Sequence, residues 1–149
     1  DTLTVIKDAI RKIDKIDEFE NVCCLYATAP LLEADYLVMG NDLCKKDNES
    51  FVISVLEYSH PIQRSFKVSE TSRLIIKSRD SLSLRTQDLD KYFHDAGQFY
   101  FGHKLAFLES DSLINENSSA ILLPKNNACD IDSHEDWQVA EALYLHKNS

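Results

Sequence analysis

The sequence predicts an α/β layered fold, and three observations carry that prediction. Segments with helical spacing alternate with continuous apolar runs of strand length. Three short β-rich segments interrupt the alternation in mid-chain. A capped helix then follows the last strand-like runs. The chain has 149 residues, 44% of them hydrophobic, which suits one domain with a substantial core.

The first element is a helix over "TLTVIKDAIRKIDKI", with Val5, Ile6, Ala9, Ile10, Ile13 and Ile16 as its apolar positions. "NVCCLYATAP" is a continuous apolar run closed by Pro30, the pattern of a buried strand and a turn. A short helix is expected over "LEADYLVMGNDLCKK" and a loop over "KKDNES". "FVISVLEYS", "RSFKVS" and "RLIIKS" read as short strands separated by turn residues. The polar span "SRDSLSLRTQDLDKYFHDAG" is expected to be irregular, with one helical turn at most, whereas "QFYFGHKLAFL" and "AILLP" read as strands. "CDID" continues as a strand end into a final helix. Ser133 and Asp136 have capping-box spacing there, and Trp137, Ala140, Leu143 and Tyr144 form the expected buried face.

Composition narrows the function. A formal net charge of −9 disfavours nucleic acid and anionic membranes as general partners, so an anionic substrate needs local basic groups or a bridging divalent cation. No apolar run approaches the roughly 20 residues that span a bilayer, and "DTLTVIKDAI" lacks the regions of a secretion signal. Cys23, Cys24, Cys44 and Cys129 have neither disulfide-framework nor zinc-site spacing, which points to reduced thiols in a cytoplasmic protein. Neither glycine-rich phosphate loop, nor a nucleophile elbow, nor HExxH is found.

Three constellations carry candidate chemistry. Asp130 and Asp132, two apart on a strand, would point to one face and share an ion, and Mg²⁺ takes one or two carboxylates together with phosphate oxygens. A solvated strand edge leading into a capped helix explains the same pair. In "RTQDLDKYFHDAGQFYFG", Arg85, Gln87, His94 and Asp95 are polar groups suited to a sugar or carboxylate, and Gly97 allows close backbone approach. On pattern alone an ordinary turn around a required glycine explains that stretch better. In "LYATAPLL", Thr28 sits at a strand end, a usual ligand position in α/β sheets, or at a simple strand-to-loop transition. Lys67, Arg73, Lys77, Arg79 and Arg85 make the middle locally basic, as an anion-facing patch or as charges on exposed strands.

Taken in order, "CCLYATAPLL", "RTQDLDKYFHDAGQFYFG" and "ACDIDSHEDWQVAEALYL" resemble the acylneuraminate cytidylyltransferases, or CMP-sialic acid synthetases. The wording "YATAP" and "HDAGQFY" is most similar to the pseudaminic acid branch, where the sialic acid branch reads "QPTSP" and "NGAIY". The resemblance implies a Rossmann-like nucleotidyltransferase fold with a mixed sheet and an inserted dimerisation subregion over about residues 57–93. It implies a homodimer and transfer of CMP from CTP to the anomeric hydroxyl of a nine-carbon acidic sugar, with release of pyrophosphate. By the same resemblance Asp130 and Asp132 hold Mg²⁺, while Tyr26, Thr28, Ala96 and Gly97 lie on the substrate side.

Two departures qualify these expectations. Tyr26 and Ala96 stand where the sialic acid branch has Gln and Asn, which favours a sugar other than ordinary sialic acid. The family's opening strand and "ARxGSKxxxxKN"-like loop have no counterpart, so the chain is expected to be the C-terminal two-thirds of an enzyme and inactive alone. The alternatives are CMP-sialic acid synthetase proper, a non-catalytic sugar- or nucleotide-binding or assembly module, and a glycosyltransferase using "DID" as its metal motif.

Overall fold

Leu3, Ile6 and Ile10, spaced for one helix face, are buried and draw the first element, α1 (Thr2–Lys12), onto the core of the computed structural model. The structure describes residues 1–46 and 50–148. The Asp1 carboxylate caps α1 by accepting the Thr4 N–H at 2.8 Å. The apolar face differs from the expected one. Val5 is 68% exposed and Ile13 is exposed, because the buried stripe runs through positions 3, 6 and 10 and the backbone is extended by Ile13.

Strand β1 (Asn21–Leu25) and helix α2 (Ala34–Cys44) follow in the places read, but β1 is not a buried strand: its residues are half-buried or exposed, with Leu25 52% exposed. The loop expected at "KKDNES" falls partly on Asp47, Asn48 and Glu49, outside the described residues. Next come β2 (Phe51–Glu57), the short strands β3 (Phe66–Val68) and β4 (Leu74–Ile76), and the long strand β5 (Phe93–His103). Then α3 (Lys104–Glu109), β6 (Ser119–Leu122) and α4 (His134–Lys147) complete the chain.

Among the described residues, β1, β5, β2 and β6 form a mixed sheet in that order. β1 runs antiparallel to β5, with Leu25 opposite Phe99, and β2 runs parallel to β6, with Val52 opposite Ser119. Alternation along the strands divides the core between the two sheet faces. Val52, Phe99 and Phe101 pack with residues of α2 such as Tyr36 and Leu37. Phe51, Ile53 and Tyr100 pack with Ile6 and Ile10 of α1 and Phe107 of α3. The result is an α/β arrangement compatible with a Rossmann-like fold. Gly102 permits the tightest part of that packing, since a Cβ there would lie 2.7 Å from Phe51 Cδ1 and 2.8 Å from Phe107 Cε2.

The chain divides into two compact units, Asp1–Leu56 with Asp95–Ser149, and Glu57–His94. In the second unit β3 and β4 pair antiparallel, with Phe66 opposite Ile76 and Val68 opposite Leu74. Its polar stretch contains two short 3₁₀ turns, Asp80–Leu82 and Thr86–Asp88, rather than one helical turn. Arg64 holds that stretch from one side, donating to the Ser81 and Leu84 carbonyls and to the Thr86 hydroxyl.

Three further expectations are corrected. β5 begins at Phe93 and takes in "HDAG", and the chain turns into α3 at Lys104, so "HKLAFL" is largely helix. His103 makes that switch by accepting the Leu105 N–H on its ring nitrogen at 3.3 Å. "CDID" is not a strand: residues 129–132 run without ladder pairing into the α4 cap. On α4 Ala140 is buried and Leu143 half-buried, but Trp137 and Tyr144 are more than half exposed, so the expected buried face narrows to Ala140 and Leu143.

Candidate functional site

A cleft of about 400 Å³ opens in the first unit, lined by Tyr26, Thr28, Asp95, Gly97, Tyr100, Asp130, Ile131 and Asp132. Three chain segments build it. Tyr26 and Thr28 follow the end of β1, where the Tyr26 N–H donates to the Gln98 carbonyl at 2.9 Å. The Tyr26 hydroxyl pairs with the Thr2 hydroxyl at 2.8 Å, which ties this wall to α1.

β5 supplies the floor. Asp95 Oδ1 accepts the Gly97 N–H at 2.9 Å, and Asp95 Oδ2 accepts the Tyr100 hydroxyl. Burial, and then the adjoining Asp95 carboxylate, hold the Tyr100 phenol well above the usual tyrosine range, so it stays a donor. The Tyr26 and Tyr100 rings meet edge-on at 5.8 Å. Gly97 has φ +60, the left-handed region, and a Cβ there would sit 3.3 Å from Asp130 Oδ1. The backbone of β5 and the Asp130 carboxylate are therefore as close as a missing side chain allows.

The third segment descends into α4. Ser133 Oγ accepts the Asp136 N–H, and Asp136 Oδ2 accepts the backbone N–H groups of Ser133 at 2.9 Å and Asp132 at 3.3 Å. These bonds, from the Ser133 side chain first, hold the Asp136 carboxyl below the usual range. The same cap thereby fixes the backbone of Asp132. Burial and the nearby Asp136 and Asp130 carboxylates push the Cys129 thiol up, which keeps it protonated.

Six of the residues singled out from the sequence thus meet in one cleft: Tyr26, Thr28, Asp95, Gly97, Asp130 and Asp132. Ala96 is buried in the core instead. Arg85, Gln87 and His94 belong to the second unit, where Arg85 pairs with Asp88 at 3.0 Å and the His94 ring packs tilted against Tyr58, centroids 4.8 Å apart. Gln87 lines a separate cleft of that unit, beside Tyr58, Ile62 and Lys91. Tyr100 and Ile131 went unrecognised. Tyr100 is five residues from Asp95, a spacing that strict alternation would put on the opposite face, and the left-handed Gly97 lies between them.

The cleft is rich in hard oxygen donors, which suit Mg²⁺ better than a soft metal. Among the described residues no three His, Cys, Asp or Glu side chains are grouped to hold an ion alone. A site of two carboxylates completed by ligand oxygens and water is the kind the donor set fits.

No protein-family model matches the chain. Similarity to curated proteins extends over most of the chain. Two relatives are named pseudaminic acid cytidylyltransferase, both from Campylobacter jejuni. One is 38% identical over 94% of this chain and 61% of its own length, the other 40% identical over 85% and 54%. A Helicobacter pylori protein, 30% identical over 95% of this chain and 27% of its own length, is named as both a pseudaminic acid cytidylyltransferase and a UDP-2,4-diacetamido-2,4,6-trideoxy-beta-L-altropyranose hydrolase. The chain therefore spans 54–61% of the length of the first two.

Proposed function

We propose that the protein carrying this chain transfers CMP from CTP to pseudaminic acid or a related nine-carbon acidic sugar. The anomeric hydroxyl oxygen of the sugar bonds to the α-phosphorus, the bond to pyrophosphate breaks, and the hydroxyl proton is lost. The observation that carries the reading is the meeting of Tyr26, Thr28, Gly97, Asp130 and Asp132 in one cleft, in a chain similar to enzymes of that name.

Asp130 and Asp132 would hold Mg²⁺, which when bound neutralises charge on the phosphate oxygens. Gly97 leaves room beside Asp130, and the Asp136 cap keeps Asp132 at the cleft. The hydroxyls of Tyr26 and Tyr100 provide further polar groups lining the cleft. A homodimer formed through the second unit and a cytoplasmic location complete the proposal. No described helix is long and apolar enough to cross a membrane.

Pyrophosphate release with CTP and pseudaminic acid tests the activity, and equal or better turnover of sialic acid would defeat the sugar assignment. Asp130→Asn and Asp132→Asn are each expected to lower turnover on the order of 100-fold. Unchanged turnover in both would remove the metal role.

A further inference from the structure

Gln98 is the fully buried polar residue at the junction of all three cleft segments. Its backbone carbonyl accepts the Tyr26 N–H at 2.9 Å. Its side-chain Nε2 donates to the Ala96 carbonyl at 2.9 Å and to the Cys129 carbonyl at 3.4 Å, one residue before Asp130. Its neighbour Gly97 faces the Asp130 carboxylate. Yet Gln98 Oε1 is buried with no hydrogen-bond partner among the described residues.

A buried amide with an unanswered acceptor is a poor choice for core packing, where Leu or Met of similar volume carries no such cost. Its presence is accounted for by the two donor hydrogens, which link β5 to the backbone that presents Asp130. We infer that Gln98 is a positioning residue, holding the Cys129 carbonyl so that Asp130 and Asp132 stay at the cleft facing Gly97. The role rests on the metal reading of those aspartates. It acts through backbone alone, so Gln98 itself need touch neither ion nor substrate.

The test uses the native protein that carries this chain, titrated with Mn²⁺ alone and followed by the electron paramagnetic resonance of the free ion. Melting temperature is measured in parallel. Gln98→Met is expected to keep the melting temperature within a few degrees, since it removes the orphaned acceptor along with the donor. Its Mn²⁺ affinity should fall about tenfold, in line with losses seen when a group supporting a metal ligand is removed. Gln98→Leu, which likewise carries neither donor nor acceptor, is expected to weaken Mn²⁺ equally and serves if the Met variant does not fold. A folded variant with wild-type Mn²⁺ affinity overturns the positioning role and leaves the metal reading intact. Absence of Mn²⁺ binding in the wild type, with no change in Asp130→Asn, overturns both.

Discussion

Gly97 shows how one residue joins backbone conformation to a candidate ligand site. Its φ of +60 is costly for a side-chain-bearing residue, and the space beside it is taken by the Asp130 carboxylate at 3.3 Å. Gly97→Ala is therefore expected to lose about 1–2 kcal/mol of stability from the backbone. It should also lose turnover out of proportion to that, because the new methyl group presses on Asp130. Denaturant unfolding and pyrophosphate release, run on the same preparation, check the pair; full activity would show that Asp130 tolerates displacement. Individual residues of the cleft were legible because each has a chemical signature: paired aspartates, a glycine before aromatic residues, a threonine at a strand end. Tyr100 was not, since "QFYFG" reads as plain core strand and its pairing with Asp95 depends on a left-handed residue between them. Gln98 was hidden in the same way, as a polar letter in an apolar run whose partner lies 31 residues away.

The start of α4 is where element-level reasoning and the cleft meet. Ser133 and Asp136 form a reciprocal capping box, and Asp136 extends it to the Asp132 N–H. Ser133→Ala is expected to cost about 1 kcal/mol. Asp136 adds a pH dependence whose sign follows from its lowered folded-state value: the unfolded chain binds the proton more readily. Its contribution is present above the ordinary carboxylate range and is lost as pH falls through the depressed value. The difference in melting temperature between wild type and Asp136→Ala should accordingly be largest near neutrality and vanish in strong acid. A difference independent of pH would mean that helix propensity, not the charged cap, sets it. Capping was readable because it is local, four residues long. The strand assigned to "CDID" failed for the opposite reason: ladder pairing is a property of neighbours distant in sequence, and Asp130 and Asp132 reach one cleft without it. The face of α4 failed in part likewise, since Trp137 and Tyr144 have the right spacing for burial but Ala140 is buried and Leu143 only half-buried.

At the scale of the whole molecule, the second unit presents apolar surface on a minimal scaffold. In the β3–β4 pair, Phe66 and Val68 lie opposite Ile76 and Leu74, so these four side chains share one face. Their exposures are 54%, 65%, 40% and 57%. A two-stranded pair is marginal in water by itself, and an exposed contiguous apolar face marks an association surface. A second copy of the chain is the occupant proposed, in keeping with the dimerisation role that the family resemblance implies for this region. Such a face suits a two-fold contact, because the same patch can meet itself. Light scattering of the native protein is expected to give twice the mass of one polypeptide. Val68→Asp combined with Leu74→Asp puts two like charges opposite each other on that face and should halve the measured mass. Cleft substitutions such as Asp130→Asn should leave it doubled. A wild-type protein that runs as a monomer, or a double variant that stays dimeric, would assign the exposed hairpin some other role.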